Sequence, residues 1–407
     1  MIKIGVFFGS QSVEHEVSVI TAVQAMNHLK NLTEYEIVPI FIDKSGDWYT
    51  GEKLKNIENF KDIPTLLDAC TRVNMVKQGR EVVLIPNPVK RFGPALINRI
   101  DIAFPIIHGT FGEDGTIQGV FEMTGLPYIG CDVLSAALTM DKTACKHVFM
   151  ASDIPVIDGV WFTSDDWMRE SEKLTNDVNL KLGYPVIVKP ANMGSSVGVS
   201  VARDPDAFKE AVAFCREFTN RILVERMVED LMEINISVLG DCEGVEVSAC
   251  ERPLSSSEFL SFEDKYKSGN GSKGSKNGAK GGATGSKASG MASLSRILPA
   301  DISDTMREEI ESIAKKAFLA VDASGVSRLD FIIDKANNSI YLNELNTIPG
   351  SLSFYLWAES GKPYEKLLEE LIELAFRKSR RKERLQFSNE TNILADAKIG
   401  GSKGSKN

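Results

Sequence analysis

GVSRLDFIIDKANNSIYLNELNTIPG, residues 325–350, reads as two strands about a turn. Arg328 and Asp330 lie two apart on the first strand and so share a face; Glu344 and Asn346 do the same on the second. The intervening DKANN is rich in Asp and Asn, as a hairpin turn requires. Three oxygen ligands, Asp330, Glu344 and Asn346, therefore converge beside one guanidinium. Oxygen donors suit a hard cation such as Mg²⁺, which usually also takes substrate phosphates. Arginine suits phosphoryl oxygens or a developing oxyanion. A solvated edge hairpin accounts for the same residues, so the surrounding chain has to decide.

Upstream, PVIVKP ends a buried-strand run at Lys189, and NMGSSVGVS follows at once. Glycines let backbone amides approach phosphate oxygens, and Lys189 adds a point charge. Lys142, in TMDKTACK, reads as a second cation or as a solvated helix lysine. ILVERMVEDLME offers Glu225 and Glu233 to ribose hydroxyls at a strand-to-loop crossing. The loops FGSQSVEHEVS and HGTFGEDGTIQG each follow a strand, where α/β sheets place ligands. Glu14 in the first is placed either to bind an ammonium group or to cap a helix. His108 in the second either steers a carboxylate or bonds to backbone. FLSFEDKYKSG carries Lys265 and Tyr266 to the edge of a low-complexity stretch.

The elements around these motifs imply three domains: a small parallel α/β domain over 1–130, a compact α+β unit over 131–238, and a last domain over 239–378 that carries the hairpin. Residues 267–290 and a tail over 379–407 are rich in Gly, Ser, Lys and Asn, which cannot bury a core, so both are expected to be flexible, the internal one as a lid margin.

The chain has 407 residues, net charge −9 and six scattered cysteines with no CxxC pair. The acidic balance argues against nucleic acid or an anionic membrane as partner. The cysteines fit a reducing, cytoplasmic setting better than a disulfide framework. No run approaches the ~20 apolar residues that span a bilayer.

Taken together, HGTFGEDGTIQGVFEMTGLPYIG, MDK, VKPANMGSSVGVS, DKY and SRLDF…LNELNTIPG resemble, in order, the motifs of the D-alanine–D-alanine ligases of the ATP-grasp superfamily. The resemblance runs from Lys3 to about Phe376. It implies a three-domain ATP-grasp fold that clamps ATP between the second and third domains. It implies an acyl phosphate made from one D-alanine and attacked by the amine of a second, for peptidoglycan. Asp330, Glu344 and Asn346 are then expected to hold two Mg²⁺ (or Mn²⁺) ions. Lys142, Lys189 and Lys265 would contact phosphates, with Ser196 in the glycine-rich loop beside them. Glu225 and Glu233 would bind the adenine-ribose part. Arg328 and the Gly350 amide would stabilise the tetrahedral intermediate. Glu14, Ser195 and Tyr266 match a hydrogen-bonded trio over the first D-alanine, and His108 the substrate-site histidine. A homodimer is allowed.

Three departures stand against the pattern. After IPG the chain reads SLSFYLW, so the serine that usually grips the acceptor carboxylate aligns with Tyr355, with Ser353 as a substitute from a shifted loop. RMVEDLME has one extra residue between its acids, and the segment after DKY is unusually long and glycine-rich. The first departure leaves D-alanine, D-serine and D-lactate open as acceptors. A catalytically silent nucleotide-binding regulator is the rival from another class, which the retained Arg328, Asp330, Glu344, Asn346 and Lys189 argue against.

Overall fold

In the computed structural model, residues 1–89, 96–254 and 295–387 are described. Lys265, Tyr266, the 267–290 segment and the chain beyond 387 lie outside the described residues.

The first sheet has seven strands: β1 (Ile2–Gly9), β2 (Tyr35–Ile42), β3 (Trp48–Thr50), β4 (Thr71–Gln78), β5 (Glu81–Pro86), β6 (Asn98–Ile100) and β7 (Ile102–Ile106). Their order is β6-β5-β4-β3-β2-β1-β7. Only β2, β1 and β7 are parallel; β3 to β6 extend the sheet antiparallel. The parallel core matches the apolar runs IGVFF and IVPIFI, buried on both faces as parallel strands are. Helix α1 (His15–Leu29) packs on one face and starts one residue after Glu14.

The second sheet, β10-β9-β11-β8, contains β8 (Gly159–Thr163), β9 (Val186–Pro190), β10 (Ser200–Ala202) and β11 (Arg221–Arg226). Its core joins Trp167, Phe208, Val188 and Val224. The glycine-rich loop connects β9 to β10.

The third sheet, β13-β12-β16-β17, contains β12 (Leu231–Asp241), β13 (Gly244–Val247), β16 (Gly325–Asp334) and β17 (Ser339–Asn346). Between them lies a two-stranded ribbon, β14 (Arg252–Pro253) with β15 (Arg296–Ile297). Strand β12 runs through the expected boundary at 238/239 and pairs with β16 from Leu231 to Gly240. The chain around Cys131, Ala136, Cys145, Phe149 and Ile154 also buries its apolar side chains against this sheet, not the second one. By core membership the second unit is thus confined to roughly the span of its own sheet. The last helix, Tyr364–Lys382, passes the expected end at 378 and shares a core with β1 and α1 through Leu367, Leu368 and Leu371. That shared core fixes the third sheet against the first. Among the described residues, no helix is long and apolar enough to cross a membrane.

Candidate active site

The hairpin of residues 325–350 forms as its pattern requires, and its register sets the site. Asp330 lies directly across from Glu344, and Arg328 across from Asn346. On the other side of β16, Asn235 of β12 lies across from Asp330. Directly opposed residues share a sheet face, so Glu344, Asp330 and Asn235 form one row on it. The register slips just beyond Asp330, where Asn343 is the extra residue of a bulge. Such bulges re-aim side chains beside active sites.

Arg328 donates to both oxygens of Asp330, Nε to Oδ1 at 2.6 Å and Nη2 to Oδ2 at 2.7 Å. Burial would lower the Arg328 pKa, but the Asp330 charge outweighs it and raises it well above the ordinary value. Asn346 Nδ2 donates to Asp330 Oδ2 at 3.2 Å. Among the described residues no group of three His, Cys, Asp or Glu side chains is arranged to hold a metal. The donor set here is two carboxylates and one amide oxygen. That set fits Mg²⁺, which is held by one or two carboxylates plus substrate phosphates and not by an all-protein cage.

Two cations approach from the other elements. Lys142 opens the helix Lys142–Ala151, donates to the Met193 carbonyl at 2.7 Å, and lies 4.0 Å from Glu344. Burial lowers its pKa. Lys189, on β9, is ion-paired to Glu225 and lies 3.4 Å from Asn343 Oδ1. Glu225 also holds Lys146 at 2.6 Å and is 2% exposed. Burial alone would raise the Glu225 pKa; the Lys189 and Lys146 charges overcome it and hold it at about 2. Glu225 is therefore taken up by two lysines, whereas Glu233 lines a cavity together with Arg328, Asp330, Glu344 and Lys142.

The glycine-rich loop reaches the first domain. Ser195 Oγ donates to Glu14 Oε1. Glu14 makes no capping bond to α1, so its carboxylate serves this contact and not the helix. Ser195 and Ser196 both adopt left-handed backbone, at φ 53° and 59°. A Cβ on Gly194 would lie 2.7 Å from Glu14 Oε2, so a larger residue there has to displace the carboxylate or the loop. Ser196 does not line the cavity that Ser195, Gly194 and Glu14 line.

His108 lines the same cavity, 3% exposed. Its Nε2 lies 3.0 Å from Thr21 Oγ1, which also accepts from the Ser351 amide at 3.1 Å. Burial, with the Arg328 charge, lowers its pKa to about 4 against a hydrogen bond to the Ile348 backbone. His108 is thus bonded to the Ile348 backbone and, through Thr21, linked to the Ser351 amide. Of its two readings, steering a carboxylate and bonding to backbone, these contacts match the second, and they hold the 348–353 loop. That loop carries three successive left-handed residues, Ser351, Leu352 and Ser353, at φ 50–53°. Gly350 lines the cavity. Ser353 does not: it is fully buried and its hydroxyl has no hydrogen-bond partner among the described residues, so it is not placed as an acceptor ligand. Tyr355 does line the cavity.

Several lining residues escaped the sequence reading. Glu113, inside HGTFGEDG, accepts from the Gly109 amide and from the Ile348 amide, each at 2.9 Å. It joins the first domain to the Gly350 loop. Burial, with the Glu14 charge next, raises its pKa to about 7. Asn235, Glu251 and Arg296 complete the wall around Tyr355. Only Glu113 carried a local signal, its place in the motif.

A glycine-rich loop and Lys189 of one sheet, with Lys142 of a neighbouring helix, face a carboxylate pair and a guanidinium on another sheet. Such a clamp suits a polyphosphate whose terminal group is transferred beside a cation, and it defines an ATP-grasp ligase. Comparison with known proteins agrees. Residues 3–131 match the family described as "D-ala D-ala ligase N-terminus", and 148–279 with 286–373 match "D-ala D-ala ligase C-terminus". A D-alanine–D-alanine ligase of Thermosipho melanesiensis is 37% identical, over 97% of this chain and 98% of its own. One from Acetivibrio thermocellus is 35% identical, over 92% and 95%. Among solved structures, the Coxiella burnetii D-alanine–D-alanine ligase is 27% identical with a TM-score of 0.75, over 94% of this chain and 96% of its own. The VanG D-Ala:D-Ser ligase of Enterococcus faecalis is 29% identical with a TM-score of 0.73, over 92% and 99%. The chain belongs to the D-alanine–D-alanine ligase family.

Proposed function

We propose that this enzyme joins two D-alanines to D-alanyl-D-alanine at the expense of ATP, through an acyl phosphate, for peptidoglycan in the cytoplasm. The observation that carries this reading is the register that sets Asp330 against Glu344 beside Arg328, with Glu14 and Ser195 lining the same cavity.

Glu14, oriented by Ser195, binds the ammonium of the donor D-alanine. The donor carboxylate oxygen attacks the γ-phosphorus of ATP and ADP leaves. Lys142 and Lys189 neutralise phosphate charge, the cavity-lining Gly194 and Ser195 offer the loop amides in place of Ser196, and Glu233 takes the ribose hydroxyls. Glu225 acts indirectly, by holding Lys189. Asp330, Glu344 and Asn346 would hold Mg²⁺, which when bound neutralises phosphate charge and aligns the transferred group. The acceptor amine then attacks the acyl carbon. Arg328 and the Gly350 amide stabilise the oxyanion, and phosphate departs with the donor oxygen. Glu113 and His108 keep the Gly350 loop in place for this step.

The family includes relatives of different acceptor specificity, as the two solved structures show by their names. The presence of Lys265 and Tyr266 in the sequence supports an amine acceptor, D-alanine before D-serine or D-lactate. Mass spectrometry of products from ATP and equal D-alanine, D-serine and D-lactate tests this. D-Alanyl-D-alanine as the main product is expected. A main product containing serine or lactate would refute the acceptor assignment, and the absence of any dipeptide or depsipeptide would refute the ligase assignment.

A further inference from the structure

Lys146 is a buried lysine to which the reaction gives no task. It lies one turn beyond Lys142 on the helix Lys142–Ala151, so the two side chains leave the same face of that helix. Its Nζ donates to the Ile157 carbonyl at 2.7 Å and lies 2.6 Å from Glu225 Oε1. The other Glu225 oxygen, Oε2, is paired with Lys189. Each oxygen of a buried carboxylate thus takes one ammonium group.

The row continues toward the hairpin. Lys189 Nζ lies 3.4 Å from the side-chain oxygen of Asn343, the bulge residue next to Glu344. Four side chains from four elements therefore stand in line: Lys146 on the helix, Glu225 on β11, Lys189 on β9 and Asn343 on β17. An ammonium group has three N–H donors. Glu225 takes one from Lys189 and Asn343 lies within reach of a second, so one is left over.

We propose that Lys146 is a positioning residue of the nucleotide subsite: it occupies one oxygen of Glu225, keeps that carboxylate from closing on Lys189 with both, and so leaves the Lys189 amine free to meet phosphate. The inference rests on the ligase reading and deepens it. A buried carboxylate oxygen that loses its partner is costly to leave unpaired. Without Lys146 the freed oxygen turns to the nearest donor, and that is Lys189. The third N–H of Lys189 is then spent inside the protein. The charge balance moves the same way. Lys146, Glu225 and Lys189 together carry one net positive charge; Glu225 and Lys189 alone carry none, and a neutral pair has little to offer a polyphosphate.

The test uses the full-length enzyme with Mg²⁺, and measures the KM for ATP and the KM for the donor D-alanine separately. Lys146→Met keeps the aliphatic stem and removes the charge. It is expected to raise the ATP KM by about tenfold, within the range of coupling in one salt-bridge network, and to move the donor KM by less than about twofold. In Glu225→Gln there is no carboxylate to restrain, so adding Lys146→Met to that variant is expected to change the ATP KM by less than about twofold. A lysine that only supported the fold would not lose its effect in that background. Should Lys146→Met lack a cooperative melting transition, Lys146→Gln replaces it, with the same expectations. An unchanged ATP KM in the folded variant overturns the proposal. So does an equal rise in the ATP and donor constants, or an effect that persists undiminished in the Glu225→Gln background. A wild-type enzyme that makes no dipeptide would instead overturn the ligase reading itself.

Discussion

Ser195, on the glycine-rich loop, donates its hydroxyl proton to the carboxylate of Glu14, 181 residues earlier in the chain. The bond joins the glycine-rich loop to the first domain. Removing it leaves a largely buried carboxylate short of one partner. A hydrogen bond to a charged group contributes about 1.5–3 kcal/mol. Ser195→Ala is expected to lower kcat/KM for the donor D-alanine by about 10- to 150-fold. Steady-state kinetics with the two D-alanine sites resolved would check it; an unchanged donor constant would separate the hydroxyl from donor binding.

Glu344→Gln is expected to cut turnover by about a hundredfold or more at saturating Mg²⁺, with the melting temperature retained. Asp330→Asn should cut turnover as deeply and also lower stability. Its loss strips Arg328 of a bidentate partner, and breaking a buried pair costs about 3–5 kcal/mol. Calorimetry beside activity would separate the two variants.

Gly194→Ala puts a methyl group 2.7 Å from Glu14 Oε2, so either the loop or the carboxylate has to shift and their contact is disturbed. A displacement of about 1 Å at a reacting geometry can cost ~100-fold. We expect a loss of that order in kcat/KM with the fold intact. Near-normal kinetics would mean that the loop does not need to touch Glu14.

Glu113 supplies a pH dependence. Its folded pKa is raised to about 7 from 4.5, so the folded state holds its proton more tightly than the unfolded chain. That contribution to stability is complete below about 4.5 and is lost as pH rises through about 7. In ligand-free enzyme, melting temperature should fall between pH 5 and 8 more steeply in the wild type than in Glu113→Gln. Parallel curves would count against a protonated Glu113.

Much of the hairpin was legible because its information is local. Strand alternation puts Arg328 with Asp330 and Glu344 with Asn346, and the Asp- and Asn-rich turn sets the register that opposes them. The Tyr355 wall was not legible. Asn235, Glu251 and Arg296 come from three separate stretches, and their meeting depends on β12 pairing with β16 and on the β14–β15 ribbon. The full extent of β12 across 238/239 was not legible for a related reason. A strand buried on both faces has no alternation to mark where it continues, and β12 continues to Asp241. In the antiparallel half of the first sheet, β3 and β6 are three residues each, too short for a period to show. Glu225 illustrates the limit on role. The sequence offered it to a ribose, and only the fold brings Lys146 and Lys189 to it.

The central claim is that the donor carboxylate is phosphorylated before the acceptor amine attacks. It is tested most directly with D-alanine labelled with ¹⁸O in its carboxylate, incubated with ATP, Mg²⁺ and the enzyme. Attack by that carboxylate on the γ-phosphorus, then departure of phosphate from the acyl carbon, carries one labelled oxygen into each phosphate released. Mass spectrometry is expected to find one ¹⁸O per inorganic phosphate, in step with D-alanyl-D-alanine. Dipeptide accompanied by unlabelled phosphate would contradict the acyl-phosphate route and the roles given to Arg328 and Gly350 in it.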